Sequence, residues 1–151
     1  MAKDARADKA PEEVSREGAI LNIFQGAEFK AYGGHMRFVC WPGMGAREVG
    51  THCVILQPGE AFAPHVHAIS CDVVLVFRGQ GQFFLGDRWY DVQEGDLLYA
   101  PPGVMHGTRN PATNSEPMIC VGTGVPPQLE LYEKGGYLQN GRFTYTPSDK
   151  R

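Results

Sequence analysis

The sequence contains no apolar run long enough to cross a membrane, and its first ten residues hold no apolar stretch that could form the core of a signal peptide. It also lacks an excess of positive charge, because 14 lysines and arginines stand against 17 acidic residues for a net charge of -3. A broad basic surface that neutralises phosphates is therefore not expected. These absences argue against a membrane or a nucleic acid as partner and favour a small molecule.

Cysteine is scarce as well, and the four cysteines are widely spaced. None of them forms a CxxC pair, and a chain of 151 residues can bury a core without a disulfide framework. The residues are Cys40, Cys53, Cys71 and Cys120. We therefore expect reduced cysteines and a cytoplasmic location.

Long helical patterns are missing, and short runs of strand length take their place from Ala19 onward. These runs are rich in Val, Phe, Tyr and Cys and are interrupted by Gly or Pro about every eight to twelve residues, which is typical of an all-β sandwich or barrel. The predicted strands are residues 51–57, 72–77, 82–85, 88–92, 96–100, 118–122 and 142–146. The predicted fold class is therefore all-β.

We divide the chain into an N-terminal arm, a barrel and a C-terminal tail. The arm covers residues 1–18 and has one short helix predicted near Ala10, where Pro11 and the acidic residues after it favour a helix N-terminus. The barrel covers residues 19–125. The tail, residues 126–151, is richer in Pro, Gly and Tyr, and we expect it to pack on the barrel or on a dimer partner.

Histidine and aspartate form the pattern with the most chemical content. His65 and His67 stand two positions apart in a segment that reads as extended, so both side chains are expected on one face of the sheet. Asp72 follows closely enough for its carboxylate to return toward this pair. His106 comes after a Pro-Pro-Gly turn, and closure of the barrel is expected to bring it to the same point.

Three imidazoles and one carboxylate make a mixed nitrogen and oxygen ligand set. Such a set suits a divalent first-row metal, and Fe, Zn, Mn, Ni and Cu are all compatible with it. The absence of thiolate ligands argues against a structural zinc site of the cysteine type. Because these metals accept further ligands, positions remain for water, dioxygen or substrate, which indicates a chemical role.

Two spaced motifs carry a resemblance to a known family. The first spans residues 59–79 and the second residues 95–110. The first contains Gly59, His65-Val66-His67, Asp72 and Gly79, and the second contains Gly95, Pro101-Pro102-Gly103, His106 and Asn110. Together they resemble the two motifs of the cupin superfamily, as found in small single-domain bacterial cupins of the cupin 2 type, with Asp72 where the family has Glu.

The resemblance implies a single double-stranded β-helix, the jelly-roll barrel of cupins, with one divalent transition metal per chain. It assigns His65, His67, Asp72 and His106 to the ligand positions. Cupins are commonly dimers, so a homodimer is the expected assembly. One barrel of this kind hosts many chemistries, and the resemblance therefore says more about fold and metal than about the reaction.

The aspartate leaves two interpretations open. Its side chain is one methylene shorter than glutamate, so either its strand lies closer to the metal and Asp72 binds directly, or Asp72 forms a hydrogen bond through water or to a ligand histidine. Cys71 is the rival ligand by the family spacing. Only Asp72 keeps six residues before Gly79, and we therefore retain it as the fourth ligand.

Two further residues are candidates for moving a proton. His52 lies on the strand before the first motif, and an imidazole titrates near neutral pH. Tyr99 lies on a later strand and is the second candidate. Residues an even number of positions from Asp72 or His106 on the same strand should face the same side as those ligands. We therefore predict that Val74, Val76 and Thr108 line an apolar pocket for a small molecule.

Three functions are compatible with this site. The first is a non-heme Fe(II) dioxygenase acting on a small organic acid, ketone or aromatic. The second is a non-redox isomerase or lyase, in which the metal polarises a carbonyl and a side chain moves a proton. The third is a non-catalytic protein that binds a sugar or another small ligand.

Overall fold

The computed structural model describes residues 9–31 and 34–144, so the first eight residues of the predicted N-terminal arm and the end of the predicted last strand lie outside the described residues. Two short helices are present, α1 (Pro11–Glu17) and α2 (Leu129–Lys134), with a 3-10 turn at Pro42–Met44. Helix α1 has its proline in the first turn together with acidic residues, as predicted. No helix in the described ranges is long and apolar enough to span a membrane.

Twelve strands are described. They are β1 (Ala27–Ala31), β2 (Gly34–Cys40), β3 (Gly50–Leu56), β4 (Ala61–His65), β5 (Cys71–Arg78), β6 (Gln80–Leu85), β7 (Arg88–Gln93), β8 (Leu97–Ala100), β9 (His106–Arg109), β10 (Met118–Val125), β11 (Leu138–Gln139) and β12 (Arg142–Phe143). The predicted strands correspond to β3, β5, β6, β7, β8, β10 and β12. Positions 145 and 146 of the last one lie outside the described residues.

The strands form two antiparallel sheets and a small hairpin. One sheet has six strands in the order β1-β2-β3-β10-β5-β8, and the other has four in the order β4-β9-β6-β7. A single hydrophobic core contains residues of both sheets, among them Val54 and Val74 of the first and Phe62 and Phe83 of the second. The predicted all-β double-stranded β-helix is therefore confirmed.

Some strands are not visible in the sequence pattern. Strand β4 contains Pro64 and β9 contains Gly107, two residue types that are depleted in strands. They become strands because β9 pairs with β4 on one side and with β6 on the other. Tertiary pairing therefore overrides local preference in this part of the chain.

Alternation along strand β5 divides its side chains between the barrel interior and the outside. Asp72, Val74 and Val76 are each 5% exposed or less, whereas Val73 and Leu75 between them are only partly buried. Asp72 therefore faces the same interior as two buried valines. A carboxylate is rarely found in such a position without a partner.

An aromatic cluster joins the C-terminal part of the chain to the barrel. The ring centroid of Phe38 lies 5.3 Å from that of Trp41 and 4.8 Å from that of Tyr132, and Phe143 lies 5.9 Å from Trp41. Phe38 and Trp41 are each 1% exposed. Because Tyr132 belongs to α2, this packing holds α2 against β2.

Phe38→Ala removes the ring at the centre of this cluster. We expect the free energy of unfolding to fall by about 3–5 kcal/mol because the lost side chain leaves a cavity in the core. Phe24→Ala is the control, since Phe24 is 44% exposed and its loss should change stability by less than about 1 kcal/mol. Urea unfolding followed by circular dichroism measures both variants. Equal losses would contradict the role given to Phe38.

Candidate metal centre

A β-bulge between β4 and β9 sets which side chains of β4 face the interior. Phe62 pairs with Thr108 and His65 pairs with His106, so three steps along β4 oppose two steps along β9. Simple alternation from the buried Phe62 would direct His65 outward. The extra residue of the bulge brings both side chains onto the inner face.

Gly107 makes room for this bulge. A methyl group at Gly107 would lie 2.8 Å from the carbonyl oxygen of Phe62 and 3.0 Å from the backbone nitrogen of Pro64. Both contacts are with backbone atoms, which cannot move aside as the end of a side chain can. Pro64 suits the bulge because it has no N–H group that the irregular pairing would leave unpaired.

His67 lies beyond the end of β4, in the loop that leads to β5. It is 5% exposed, whereas the preceding Val66 is 48% exposed, so the chain still alternates as the predicted extended segment does. The Gly103 N–H donates a hydrogen bond of 2.8 Å to the His67 carbonyl. This bond connects the histidine pair of the first motif to the Pro-Pro-Gly turn of the second.

Four side chains meet inside the barrel, those of His65, His67, Asp72 and His106. Their possible ligand atoms all lie within 4.8 Å of one another, and all of the residues except the part-buried His65 are buried. Asp72 Oδ2 is 3.1 Å from His106 Nε2 and 3.8 Å from His67 Nε2. The structure therefore brings together the four predicted ligands in a cluster that can hold a metal ion.

Asp72, and not its neighbour Cys71, faces this cluster. Adjacent residues of a strand point to opposite faces, and Asp72 is the buried one of the two. Cys71 is one of four free cysteines and is only partly buried. The rival assignment of Cys71 as ligand is therefore removed.

Each imidazole has its Nδ1 engaged outside the cluster. His65 Nδ1 and His106 Nδ1 each lie near the backbone carbonyl two residues earlier, at 2.7 and 3.0 Å, and since a carbonyl only accepts, both nitrogens donate. His67 Nδ1 lies 2.7 Å from Glu130 Oε1. Hydrogen bonds of this kind fix the orientation of metal-binding imidazoles and leave Nε2 as the ligand atom.

The Asp72 carboxylate tests whether a metal fits this cluster. Its Oδ1 is buried and has no hydrogen-bond partner within residues 9–31 and 34–144. A buried carboxylate oxygen without a partner costs free energy, and a cation at the cluster would remove that cost. The residues present therefore fit a divalent metal.

Burial and charge compete in setting the protonation of the cluster. Burial acts to raise the pKa of Asp72, but the hydrogen bond with His106 and the field of the nearby imidazoles hold that pKa below its ordinary value. Burial acts to lower the pKa of His106, and the hydrogen bond with Asp72 outweighs it and raises that pKa. Burial lowers the pKa of His65, which favours the neutral imidazole that a metal requires.

The cluster borders a cavity of about 110 Å³ inside the barrel. Most of its walls are apolar, as is usual for small-molecule sites. The apolar lining consists of Met36, Val54, Phe62, Val66, Val74, Cys120 and Leu131. Val74 and Thr108 line the cavity as predicted, whereas Val76 is fully buried in the core and does not line it.

His52, the first predicted proton-transfer residue, lies in this cavity. It is 7% exposed, and burial lowers its pKa below the ordinary value. Gly122, its pairing partner on β10, admits the ring, because a methyl group at Gly122 would collide with His52 Nε2. The structure therefore brings His52 to the site.

Tyr99, the second predicted proton-transfer residue, does not reach the site, and the structure corrects this assignment. Tyr99 pairs with Val73, which lies between the inward-facing Asp72 and Val74. Residues opposite each other in a sheet face the same side, so Tyr99 faces outward and is 58% exposed. Its direction depends on the pairing register with β5, which the sequence pattern does not contain.

Two residues of the site come from the C-terminal part of the chain and are missed by the sequence motifs. Gln128 and Glu130 line the cavity at the start of α2. Neither belongs to a motif or to a strand. The available signal is the Gly122-Thr123-Gly124 run on β10, whose inward positions leave room for side chains from elsewhere.

A larger groove of about 910 Å³ adjoins the cavity. Val66 and Glu130 line both spaces. The walls of the groove include exposed apolar residues such as Ile69 and Leu129. The two spaces therefore have part of their walls in common.

Comparison with known proteins finds similarity over the same part of the chain. Residues 52–124 match the family described as Cupin domain. Germin-like protein 3-5 from Oryza sativa subsp. japonica is 31% identical over 87 residues, which cover 52% of this chain and 38% of that protein. The chain therefore spans less than half the length of the curated relatives of this kind.

Solved structures share the fold at low sequence identity. KdgF from Halomonas sp. has a TM-score of 0.61 at 18% identity, over 72% of this chain and 94% of that one. A protein described as a predicted oxalate decarboxylase, from Thermotoga maritima, has a TM-score of 0.61 at 16% identity, over 71% of this chain and 98% of that one. At these identities the likeness shows the fold alone.

Glu130→Ala removes the partner of His67 Nδ1. We expect the Kd for Zn(II) to rise about 10- to 100-fold, because the ring loses the hydrogen bond that orients it. Glu133→Ala is the matched control, since Glu133 lies on the same helix, is exposed and does not line the cavity. Competition with a chelating dye measures both affinities. Wild-type affinity in Glu130→Ala would contradict this role for Glu130.

Proposed function

We propose, from the match of residues 52–124 to the Cupin domain family, that this protein is a metal-dependent enzyme acting on a small organic molecule. The observation that carries the proposal is the donor set, in which three oriented imidazoles and an unpaired buried carboxylate oxygen meet beside an apolar cavity. A structural metal site has no need of such a cavity. One divalent metal, Fe, Zn, Mn, Ni or Cu, is proposed to be held by His65, His67, Asp72 and His106.

A non-heme Fe(II) dioxygenase is the first candidate reaction class. When bound, iron would supply redox chemistry with dioxygen toward a small organic acid, ketone or aromatic. The role of the protein is to hold the reactants together and keep bulk water away, and the side chains of Val54, Phe62 and Val74 provide the apolar walls for this. Four protein ligands leave positions open on such a metal, which supports this class.

The volumes of the two adjoining spaces support a small substrate. The cavity of about 110 Å³ is smaller than the roughly 300–1,000 Å³ typical of sites for drug-sized ligands. It suits a small acid or ketone, or the reacting end of a longer molecule. The remainder of a longer molecule would lie in the groove of about 910 Å³ beyond Val66 and Glu130.

A non-redox isomerase or lyase is the second candidate, and His52 is the observation that favours it. Burial lowers the pKa of His52, so the ring is neutral at pH 7 and can accept a proton. The ring lines the same cavity as all three histidines of the cluster. This position supports transfer of a proton to or from a substrate held there.

The assembly and the location of the protein remain proposals. We propose a symmetric homodimer, and the edge strands β1 and β8 of the larger sheet offer groups that can pair across a two-fold axis. We also propose a cytoplasmic location and a small-molecule partner, without nucleic acid or membrane, and the composition supports these proposals. A non-catalytic sugar-binding role has no specific observation in its favour.

Metal content and oxygen dependence together test the reaction class. We expect protein purified without added metal to contain about one metal ion per chain and His67→Ala to contain none, because ligand loss removes the site. His35→Ala is the matched control, since His35 is exposed on β2 and does not line the cavity. Elemental analysis measures the metal.

The two reaction classes differ in whether turnover requires oxygen. Oxygen uptake by the Fe(II)-loaded protein with a small 2-oxo acid, ketone or catechol supports the dioxygenase. Turnover by Zn(II)- or Mn(II)-loaded protein without oxygen, lost in His52→Gln, supports the isomerase or lyase. Wild-type protein that neither contains nor binds a divalent metal would overturn both.

Asp72→Asn keeps the size of the side chain and removes its charge. We expect a larger loss of Zn(II) affinity than in Glu130→Ala, because Asp72 is proposed to bind the metal itself and Glu130 acts through His67. Asp72→Glu, which restores the family residue, is expected to retain the metal. Competition titration measures all three, and a wild-type Kd in Asp72→Asn would assign Asp72 to a supporting role.

A further inference from the structure

Gln128 is a polar residue that the proposed metal chemistry does not use, although it lines the cavity beside the cluster. The residue is only 2% exposed. It occupies the N-cap position of α2, yet its side chain makes no capping hydrogen bond. The side chain of Gln128 is therefore neither exposed to solvent nor used to cap the helix.

The amide nitrogen of Gln128 is the feature that points to a ligand. Nε2 is buried and has no hydrogen-bond partner in the described part of the chain. Buried side-chain donors in folded proteins are nearly always paired, so an unpaired donor requires an explanation. In the same described ranges, the other unpaired buried side-chain atom is Asp72 Oδ1, which belongs to the metal cluster.

Strand β10 has the shape needed to admit this side chain. A methyl group at Gly124 would lie 2.8 Å from Cγ, Cδ and Nε2 of Gln128. Gly124 pairs with Asp72 on β5, so Gln128 packs against the strand position next to the carboxylate of the cluster. A side chain at position 124 would displace the amide from this place.

We propose that Gln128 binds the ligand of the metal centre by donating a hydrogen bond from Nε2 to a ligand oxygen. This inference rests on the proposed function, because it requires a ligand held at the cluster. An amide N–H group donates and does not accept, so the group that it recognises is an acceptor. The ligand class is therefore a molecule that presents a carboxylate, carbonyl or hydroxamate oxygen beside the metal.

Gln128 and Glu130 reach the site from the same end of α2 but act on different partners. Glu130 bonds to His67 and therefore acts on a proposed metal ligand. The amide nitrogen of Gln128 bonds to none of the cluster residues. Loss of the Gln128 amide should therefore weaken the binding of an oxygen ligand and leave the affinity for the metal intact.

The test uses the full-length protein loaded with Co(II), whose absorption spectrum reports on the bound ligand. One probe is acetohydroxamate, which presents oxygen atoms, and the other is ethanethiol, which presents sulfur, a weak acceptor. Gln128→Met keeps an unbranched side chain of similar length and removes the donor. We expect acetohydroxamate to bind about 10- to 100-fold more weakly, as for a lost hydrogen bond to a charged group. The affinities for ethanethiol and for Co(II) should stay at wild-type values.

Gln139→Met is the matched control, because Gln139 is exposed on β11 in the same part of the chain. It should bind both probes as the wild type does. A variant with a damaged barrel would lose affinity for both probes, so the comparison of probes separates a lost donor from a lost fold.

A selective loss of acetohydroxamate affinity in Gln128→Met supports the inference. Parallel changes for both probes, or no change for either, would overturn it. Wild-type protein that binds Co(II) but not acetohydroxamate would overturn it as well. Wild-type protein that fails to bind Co(II) would instead count against the proposed function.

Discussion

The burial of polar groups inside an apolar barrel is the constraint on which the rest of this structure depends. A buried imidazole or carboxylate costs free energy unless its polar atoms have partners. Each ring of His65, His67 and His106 meets this requirement on one side, through a hydrogen bond from Nδ1 that leads away from the cluster. At the cluster itself, His106 Nε2 contacts Asp72 Oδ2 at 3.1 Å, and Asp72 Oδ1 has no hydrogen-bond partner in the described residues. A cation held at the cluster would provide that oxygen with a partner.

The C-terminal part of the chain connects the stability of the barrel to this site. Helix α2 is held against β2 by the contact between Tyr132 and Phe38, whose ring centroids are 4.8 Å apart. The same helix carries Gln128 at its N-cap and Glu130 in its first turn. The packing of Tyr132 in the aromatic cluster thus positions the helix that carries two polar residues of the cavity wall. A barrel without this segment would lose the partner of one ligand histidine and part of its cavity wall.

The predictability of the fold follows the regularity of each strand. Strands β5 and β10 are short, mostly apolar runs of strand length, so they are visible in the sequence, and burial alternates along both in the structure. Strands β4 and β9 contain proline, glycine and histidine and form no such run. Their pairing includes a bulge that Gly107 makes possible, and this bulge reverses the direction that alternation predicts for His65. A backbone irregularity of this kind depends on the partner strand and cannot be read from one strand alone.

By itself, the sequence determined the barrel class and marked His65, His67 and His106 as candidate metal ligands, because turn glycines and histidine spacings are local patterns. Only the tertiary structure decided which other side chains share their cavity. It directed His52 inward and Tyr99 outward, since the facing of a strand residue depends on the register of the neighbouring strand. It also brought Glu130 to His67 across 63 positions of the chain. A contact between residues so far apart leaves no pattern in the local sequence, because it is produced by the packing of a helix onto a completed barrel.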